Sequence, residues 1–218
     1  MEKHLLTART ARYQQLGEPS AATRQLWLVL HGYGQLAEYF IRHFEHLHAA
    51  DPDGTVIIAP EALSRFYLSG NSGRVGASWM TSADRLAEIA DQQTYLTAML
   101  AFLLAAAPAA RVTVLGFSQG TATASRWLAT HPQDWRPHRL VLWAGDFPLD
   151  ALPAATLLLG LPVALVCGAQ DGYVSPEKQQ QQADLLHLHG AEVQRYSFEG
   201  GHALSPAILR HLHAEQPA

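Results

Sequence analysis

RVTVLGFSQGTAT, residues 111–123, opens as a continuous apolar run and then sets Ser118 between Gly116 and Gly120. A short run of this kind reads as a strand buried on both faces, and the segment 118–130 reads as the helix that follows it. At a strand-to-helix junction, Gly-x-Ser-x-Gly is the pattern of a nucleophile elbow. The serine takes strained backbone angles, and the glycines let strand and helix close on each other. The plain alternative is a glycine loop with no chemistry, and the rest of the chain decides between the two.

The same alternation extends in both directions. LWLVLHG (26–32), TVIIAP (55–60), RLVLWAG (139–145), LPVALVCG (161–168) and AEVQRYSF (191–198) read as further strands. Leu36, Phe40, Phe44 and Leu47 recur at helical spacing until Asp51-Pro52 stops them. Thr81 and Asp84 fit a capping box for a long helix through Ala107, closed by Pro108. Ser175-Pro176 and Ser205-Pro206 each read as an N-cap followed by proline at the first helical position, the first opening a helix to about His189. Residues 4–15 suggest an edge strand or hairpin, and 61–80 read as irregular and dotted with glycine. Strands alternating with helices predict an α/β fold with a mostly parallel central sheet and helices on both faces. The strand C-terminal ends, and any ligand, then share one edge.

With 218 residues and no long linker, repeat or low-complexity tract, residues 1–218 are expected to form one domain. A net charge of -4 with scattered basic residues argues against a nucleic-acid partner. Cys167 is the sole cysteine, which excludes an internal disulfide. The opening MEKHLLTARTARYQQLGEPS has no apolar run of signal-peptide length. Later apolar stretches are all broken well short of about 18 residues. The expectation is a cytoplasmic protein with no stable membrane association.

A serine hydroxyl attacks a carbonyl only when a base takes its proton. The elbow reading therefore requires an acid and a histidine after later strands, in the order Ser, Asp or Glu, His. Asp171 follows the strand at 161–168 in CGAQDGYVSP, and His202 follows the strand at 191–198 in SFEGGHALSP. Both fall on the edge that carries Ser118. Asp146, in WAGDFP after another strand, is the alternative acid. The pairs His46 and His48, His187 and His189, and His211 and His213 lie inside predicted helices. Residues two apart on a helix face different ways, so these read mostly as solvated surface histidines and not as ligand pairs. Cys167 reads as a small buried residue. The developing oxyanion needs backbone donors. One is expected from Gln119, after the nucleophile, and the other from Tyr33 in HGYGQ (31–35), where His31 and Gly32 shape the turn. The Tyr33 ring is alternatively a wall of the substrate pocket.

LHGYGQ, GFSQG, LWAGDFP, CGAQDGYVSP and EGGHALSP occur in this order. Together they resemble the phospholipase/carboxylesterase family of α/β-hydrolases, which includes small bacterial carboxylesterases and acyl-protein thioesterases. The likeness runs from about residue 26 to 210. It implies an α/β-hydrolase fold without a large cap domain, Ser118 as nucleophile, Asp171 as acid, His202 as base, and oxyanion donors at Tyr33 and Gln119. The chain departs from the family pattern at Thr121, where a second glycine is usual, at Cys167-Gly168, where His-Gly is usual, and at Trp79-Met80-Thr81, in place of Trp-Phe-Asp. These differences touch the pocket and put the substrate subclass in question.

Trp79 and Met80 in the 61–80 segment, with Phe147, Val174 and Leu204 beside the strand-end loops, are the expected substrate-binding residues. The 61–80 segment is read either as a mobile flap, with Phe66 and Tyr67, or as an ordinary surface loop. The short stretch from Gly145 to Pro162 leaves no room for an inserted cap. The expected reaction is hydrolysis of small to medium acyl esters through an acyl-enzyme. Rival readings are an acyl-protein thioesterase or lysophospholipase, a lactone hydrolase, and a non-enzymatic binding protein. A cysteine at the elbow would suit the lactone hydrolase better, and the complete set of triad candidates disfavours the binding protein. The expected partner is a small-molecule ester, a homodimer is left open, and no metal or cofactor is expected. There is no zinc-type ligand set, and Gly70, Gly73 and Gly76 lack the spacing of a phosphate loop.

Overall fold

The apolar runs form β2 (Gln25–Leu30), β3 (Thr55–Pro60), β6 (Arg111–Phe117), β7 (Arg139–Trp143), β8 (Pro162–Gly168) and β9 (Glu192–Phe198) in the computed structural model, which describes residues 1, 3–131, 135–154 and 156–215. Three shorter strands join them: β1 (Tyr13–Leu16), β4 (Ser64–Tyr67) and β5 (Val75–Ser78). The helices are α1 (Ala37–Phe40), α2 (Glu45–Ala50), α3 (Arg85–Ala106), α4 (Gln119–Thr130), α5 (Pro176–Leu188) and α6 (Pro206–Ala214). One sheet of seven strands runs in the order β1-β3-β2-β6-β7-β8-β9. Only β1 is antiparallel to its neighbour. The N-terminal edge strand therefore exists, but it is confined to Tyr13–Leu16, at the end of the 4–15 stretch expected and one residue past it.

Each central strand is apolar on both faces because both faces are covered. Leu26, Leu28 and Leu30 of β2 join Val112 and Val114 of β6 in a core that includes Leu96 and Leu103 of α3 and Trp127 of α4. The alternate residues Trp27 and Val29 join Leu115 and Phe117 on the other face, under Phe40 of α1, Leu47 of α2 and Leu209 of α6. Side chains alternate along a strand, so a run without polar gaps feeds two cores at once. Removing one such large side chain typically costs about 2–5 kcal/mol.

The structure corrects three expectations. Residues 61–80 are not irregular: β4 and β5 pair antiparallel in a separate two-stranded hairpin, with Ser64 opposite Ser78 and Tyr67 opposite Val75. The helix expected through Leu36, Phe40, Phe44 and Leu47 is broken into α1, a 3₁₀ turn at Ile41–Phe44, and α2, although all four side chains are buried as the spacing requires. The Thr81–Asp84 capping box does not form. Asp84 takes a left-handed backbone (φ 49) with no side-chain cap, and the Thr81 N–H donates to the Glu88 carboxylate at 2.5 Å. The two proline-opened helices form as expected. Ser175 Oγ accepts the Lys178 N–H and Ser205 Oγ accepts the Ile208 N–H.

Between β7 and β8 the chain makes only short 3₁₀ turns at Leu149–Ala154 and Thr156–Leu158, so no large cap covers the strand ends. Among the described residues no helix is long and apolar enough to cross a membrane.

Candidate active site

The β6–α4 junction turns on Ser118, which sits at φ 52 and ψ -116. A left-handed backbone at a non-glycine residue costs about 1–3 kcal/mol and persists only where its surroundings impose it. The Ser118 N–H donates to the Trp143 carbonyl at 2.8 Å, and the Thr121 hydroxyl donates to the Ser118 carbonyl at 2.6 Å. Thr121, where a second glycine was expected from the family pattern, thus braces the turn. The two glycines are demanded by contact. A methyl group on Gly116 would fall on the Gly120 carbonyl, and one on Gly120 would fall on the Leu30 carbonyl at the end of β2.

Asp171 and His202 come together beyond β8 and β9. The His202 Nδ1–H donates to Asp171 Oδ2 at 2.8 Å. Asp171 Oδ1 accepts the backbone N–H groups of Tyr173 at 2.8 Å and Val174 at 3.2 Å, which fixes the carboxylate in a side chain with no exposed surface. With Nδ1 occupied, Nε2 is the basic nitrogen of the ring. The imidazole lies between two aromatic rings, Phe117 at 5.0 Å and Tyr173 edge-on at 4.7 Å, and Trp143 Nε1 holds the Ala203 carbonyl at 2.9 Å. Phe117 directly precedes Ser118, so this packing sets the imidazole beside the Ser118 turn. Among the described residues neither Ser118 Oγ nor His202 Nε2 has a hydrogen-bond partner, so that last link is open in this structure. Such contacts commonly tighten only around substrate. Asp146 stands on the same edge after β7 but does not hold His202; partial desolvation raises its carboxyl pKa, against the pull of Lys178.

The loop after β2 faces Ser118: a side chain at Gly32 would meet the Ser118 Cβ at 3.3 Å. Gln35 Oε1 accepts the Gly32 N–H at 2.7 Å. Gly34 donates to the Ala77 carbonyl of β5 at 2.8 Å, and Ala77 donates back to the Gln35 carbonyl at 3.1 Å. The Tyr33 N–H between them has no partner among the described residues. Gln119 is the first residue of α4, where a helix N–H lacks an intrahelical acceptor. Its side chain has a role that sequence reasoning missed. Oε1 accepts the Trp79 N–H at 3.0 Å and Nε2 donates to the Met80 carbonyl at 2.7 Å, tying the Ser118 turn to the hairpin exit.

His31 is buried behind this loop. Its Nδ1–H donates to the Gly32 carbonyl at 2.8 Å and its Nε2 accepts the Ala62 N–H at 3.1 Å. Burial lowers its pKa from 6.5 to about 4. The folded chain therefore holds this ring neutral where the unfolded chain protonates it. The associated stability is complete above about pH 6.5 and is lost as pH falls towards 4, with a limit near 1.4 kcal/mol per pH unit for one proton. Urea unfolding at pH 7 and pH 5 is expected to show lower stability at pH 5, and His31→Gln is expected to flatten that slope. An identical slope in the variant would place the effect elsewhere, for example at His43, His138 or His213, whose pKa values burial also lowers.

Two of the expected substrate-binding residues are core residues. Trp79 is fully buried, with its ring on His31 at 5.0 Å and its Nε1–H donated to the His31 carbonyl at 2.7 Å. Phe147 is also buried, packed in the α3–α4 core. Val174 is buried beside Asp171, Leu204 packs against the core on the α6 face, and Met80 is half-buried next to Trp79. The exposed aromatics near the site are Tyr33, stacked on Phe66 of the hairpin at 5.2 Å, and Tyr173. An open cavity of about 770 Å³ lies between α1 and the hairpin and reaches the loop at Gly34 and Gln35. The base of the hairpin is anchored by Glu61, a buried carboxylate that Arg12 and Arg65 both contact and that accepts the Ala37 N–H at 3.3 Å. Among the described residues no group of three His, Cys, Asp or Glu side chains is placed to hold a metal ion.

Residues 11–214 match the phospholipase/carboxylesterase family. Among solved structures, esterase PE8 is 23% identical with a TM-score of 0.74, over 94% of this chain and 97% of that one. A carboxylesterase from Mesorhizobium loti is 24% identical with a TM-score of 0.72, over 97% and 98%. Acyl-protein thioesterase 2 from Zea mays is 20% identical with a TM-score of 0.67, over 94% and 96%. At these identities the likeness establishes a shared fold, that of the α/β-hydrolases. No curated protein matches the sequence.

Proposed function

The chain belongs to the phospholipase/carboxylesterase family, and from that premise we propose that it is a serine carboxylesterase acting on small to medium acyl esters. The observation that carries the reading is the Asp171–His202 hydrogen bond on the strand edge where Ser118 holds its strained turn. His202 Nε2 takes the Ser118 proton as Oγ attacks the ester carbonyl. Asp171 keeps the ring in the right tautomer and stabilises the imidazolium. The Tyr33 and Gln119 amides receive the oxyanion; a single lost donor of this kind costs about 10²–10³ in rate. The C–O bond breaks and the alcohol leaves with the proton from His202. Water then attacks the acyl-enzyme by the same route and frees the acid.

A fluorophosphonate probe tests the chemistry directly. Peptide mapping is expected to find one adduct, on Ser118, and none in His202→Ala. An adduct on another residue, or labelling that survives His202→Ala at full rate, would refute the assignment.

A further inference from the structure

The cavity between α1 and the hairpin is lined by apolar side chains and, among the described residues, by one unpaired arginine. Leu36 and Phe40 line it from the helix side, Leu68 and Val75 from the hairpin. Arg74 also lines it, on an exposed stretch of the hairpin. The other arginines nearby are engaged: Arg65 and Arg12 with Glu61, and Arg42 with Glu38 at 3.7 Å, its guanidinium 4.9 Å from the centre of the Tyr39 ring. Among the described residues the Arg74 guanidinium has no such partner, and no carboxylate lines the cavity. His43, the other titratable nitrogen there, is held towards its neutral form by desolvation. A cavity of this size suits a medium-sized group, and its polar contacts set specificity.

We propose that this cavity receives the acyl half of the ester and that Arg74 selects acyl chains ending in a carboxylate, that is, monoesters of dicarboxylic acids. The proposal rests on the esterase reading above. The acyl half is assigned by exclusion from the other side. The leaving alcohol must lie at His202 Nε2 to receive its proton, whereas the cavity is lined by Gly34 and Gln35, next to Tyr33, and takes no lining residue from the Asp171 or His202 loops. A carbonyl held at the Tyr33 amide has this cavity beside it, through Gly34 and Gln35, and its acyl chain is assigned to the space between α1 and the hairpin. The apolar lining accepts the methylenes, and the guanidinium meets the terminal carboxylate with charge-assisted hydrogen bonds. The reaction stays a hydrolysis: ester and water give a dicarboxylate and an alcohol.

The test compares the p-nitrophenyl monoester of adipic acid with p-nitrophenyl hexanoate, which has the same acyl length and a methyl end. The wild-type protein is expected to favour the adipate in kcat/KM, mainly through KM, with a preference that shrinks as salt rises. In Arg74→Gln the adipate-to-hexanoate ratio is expected to fall about tenfold, within the range of a partly screened charged hydrogen bond. Arg74→Glu is expected to push it lower still. Equal kcat/KM for the two esters in the wild type, or an unchanged ratio in both variants, overturns the assignment while leaving the esterase reading intact. No turnover of either ester overturns both.

Discussion

Ser118→Ala is expected to lower turnover of a p-nitrophenyl ester by about 10⁴-fold or more, with the melting temperature unmoved. On the proposed mechanism the loss is large because the oxygen that would become the acyl-enzyme linkage is gone and neither His202 nor the loop amides can replace it. Stability should hold for a separate reason. Ser118 Oγ has no hydrogen-bond partner among the described residues, and alanine keeps the Cβ and therefore the same strain at φ 52. Turnover and thermal melts on one preparation separate the two effects. A variant retaining a tenth of the wild-type rate would remove Ser118 from the mechanism. One that lost activity only because it no longer melted cooperatively would show that the hydroxyl holds the turn together.

Gly120→Ala is expected to be among the most damaging single methyl additions in the fold. Its Cβ would land on the Leu30 carbonyl and lie within 2.8 Å of the His31 carbonyl. Both are backbone atoms of β2 and its loop, which cannot swing aside as a side-chain tip can. Forcing extra volume into packed surroundings costs about 1–3 kcal/mol, occasionally more. At about 2–4 °C per kcal/mol for a chain of this size, the melting temperature should fall by up to about 10 °C. Activity should drop as well, because the displaced strand end carries the Tyr33 loop. Gly172→Ala is the matched control for stability: nothing lies within 4 Å of its Cβ, so its melt should stay near wild type. Equal melting temperatures for the two variants would contradict the close approach of α4 to β2.

The parts of the fold that were legible in the sequence are those whose cause is local. TVIIAP and RVTVLGF become β3 and β6 without a residue's error, because unbroken apolarity has few uses other than a strand covered on both sides. Ser175-Pro176 and Ser205-Pro206 open helices because cap and proline act within one turn. Asp171 and His202 are legible as candidates because each follows a recognisable strand, and they are hydrogen-bonded to each other. What stayed hidden depends on distant partners. Ser64–Tyr67 and Val75–Ser78 are too short and too polar to announce a hairpin, which is secured by bonds to residues 34 and 35. Trp79 looked like a pocket wall beside glycines, yet its backbone and indole are both claimed, by Gln119 and His31 respectively. Glu61 gave one usable signal, an acid directly after a fully buried strand, but its arginine partners cannot be paired from spacing alone.

Ala77 both gives and receives a hydrogen bond from the segment that presents the Tyr33 amide. Through Arg74 and Leu68 the same arm lines the cavity proposed for the acyl chain. Under that proposal choice of substrate and speed of reaction are geared together: tilting the arm to admit a different chain also shifts the donor proposed to greet the carbonyl. Anyone transplanting a foreign arm onto this scaffold should carry residues 32–35 along with it, or expect altered selectivity at the expense of rate.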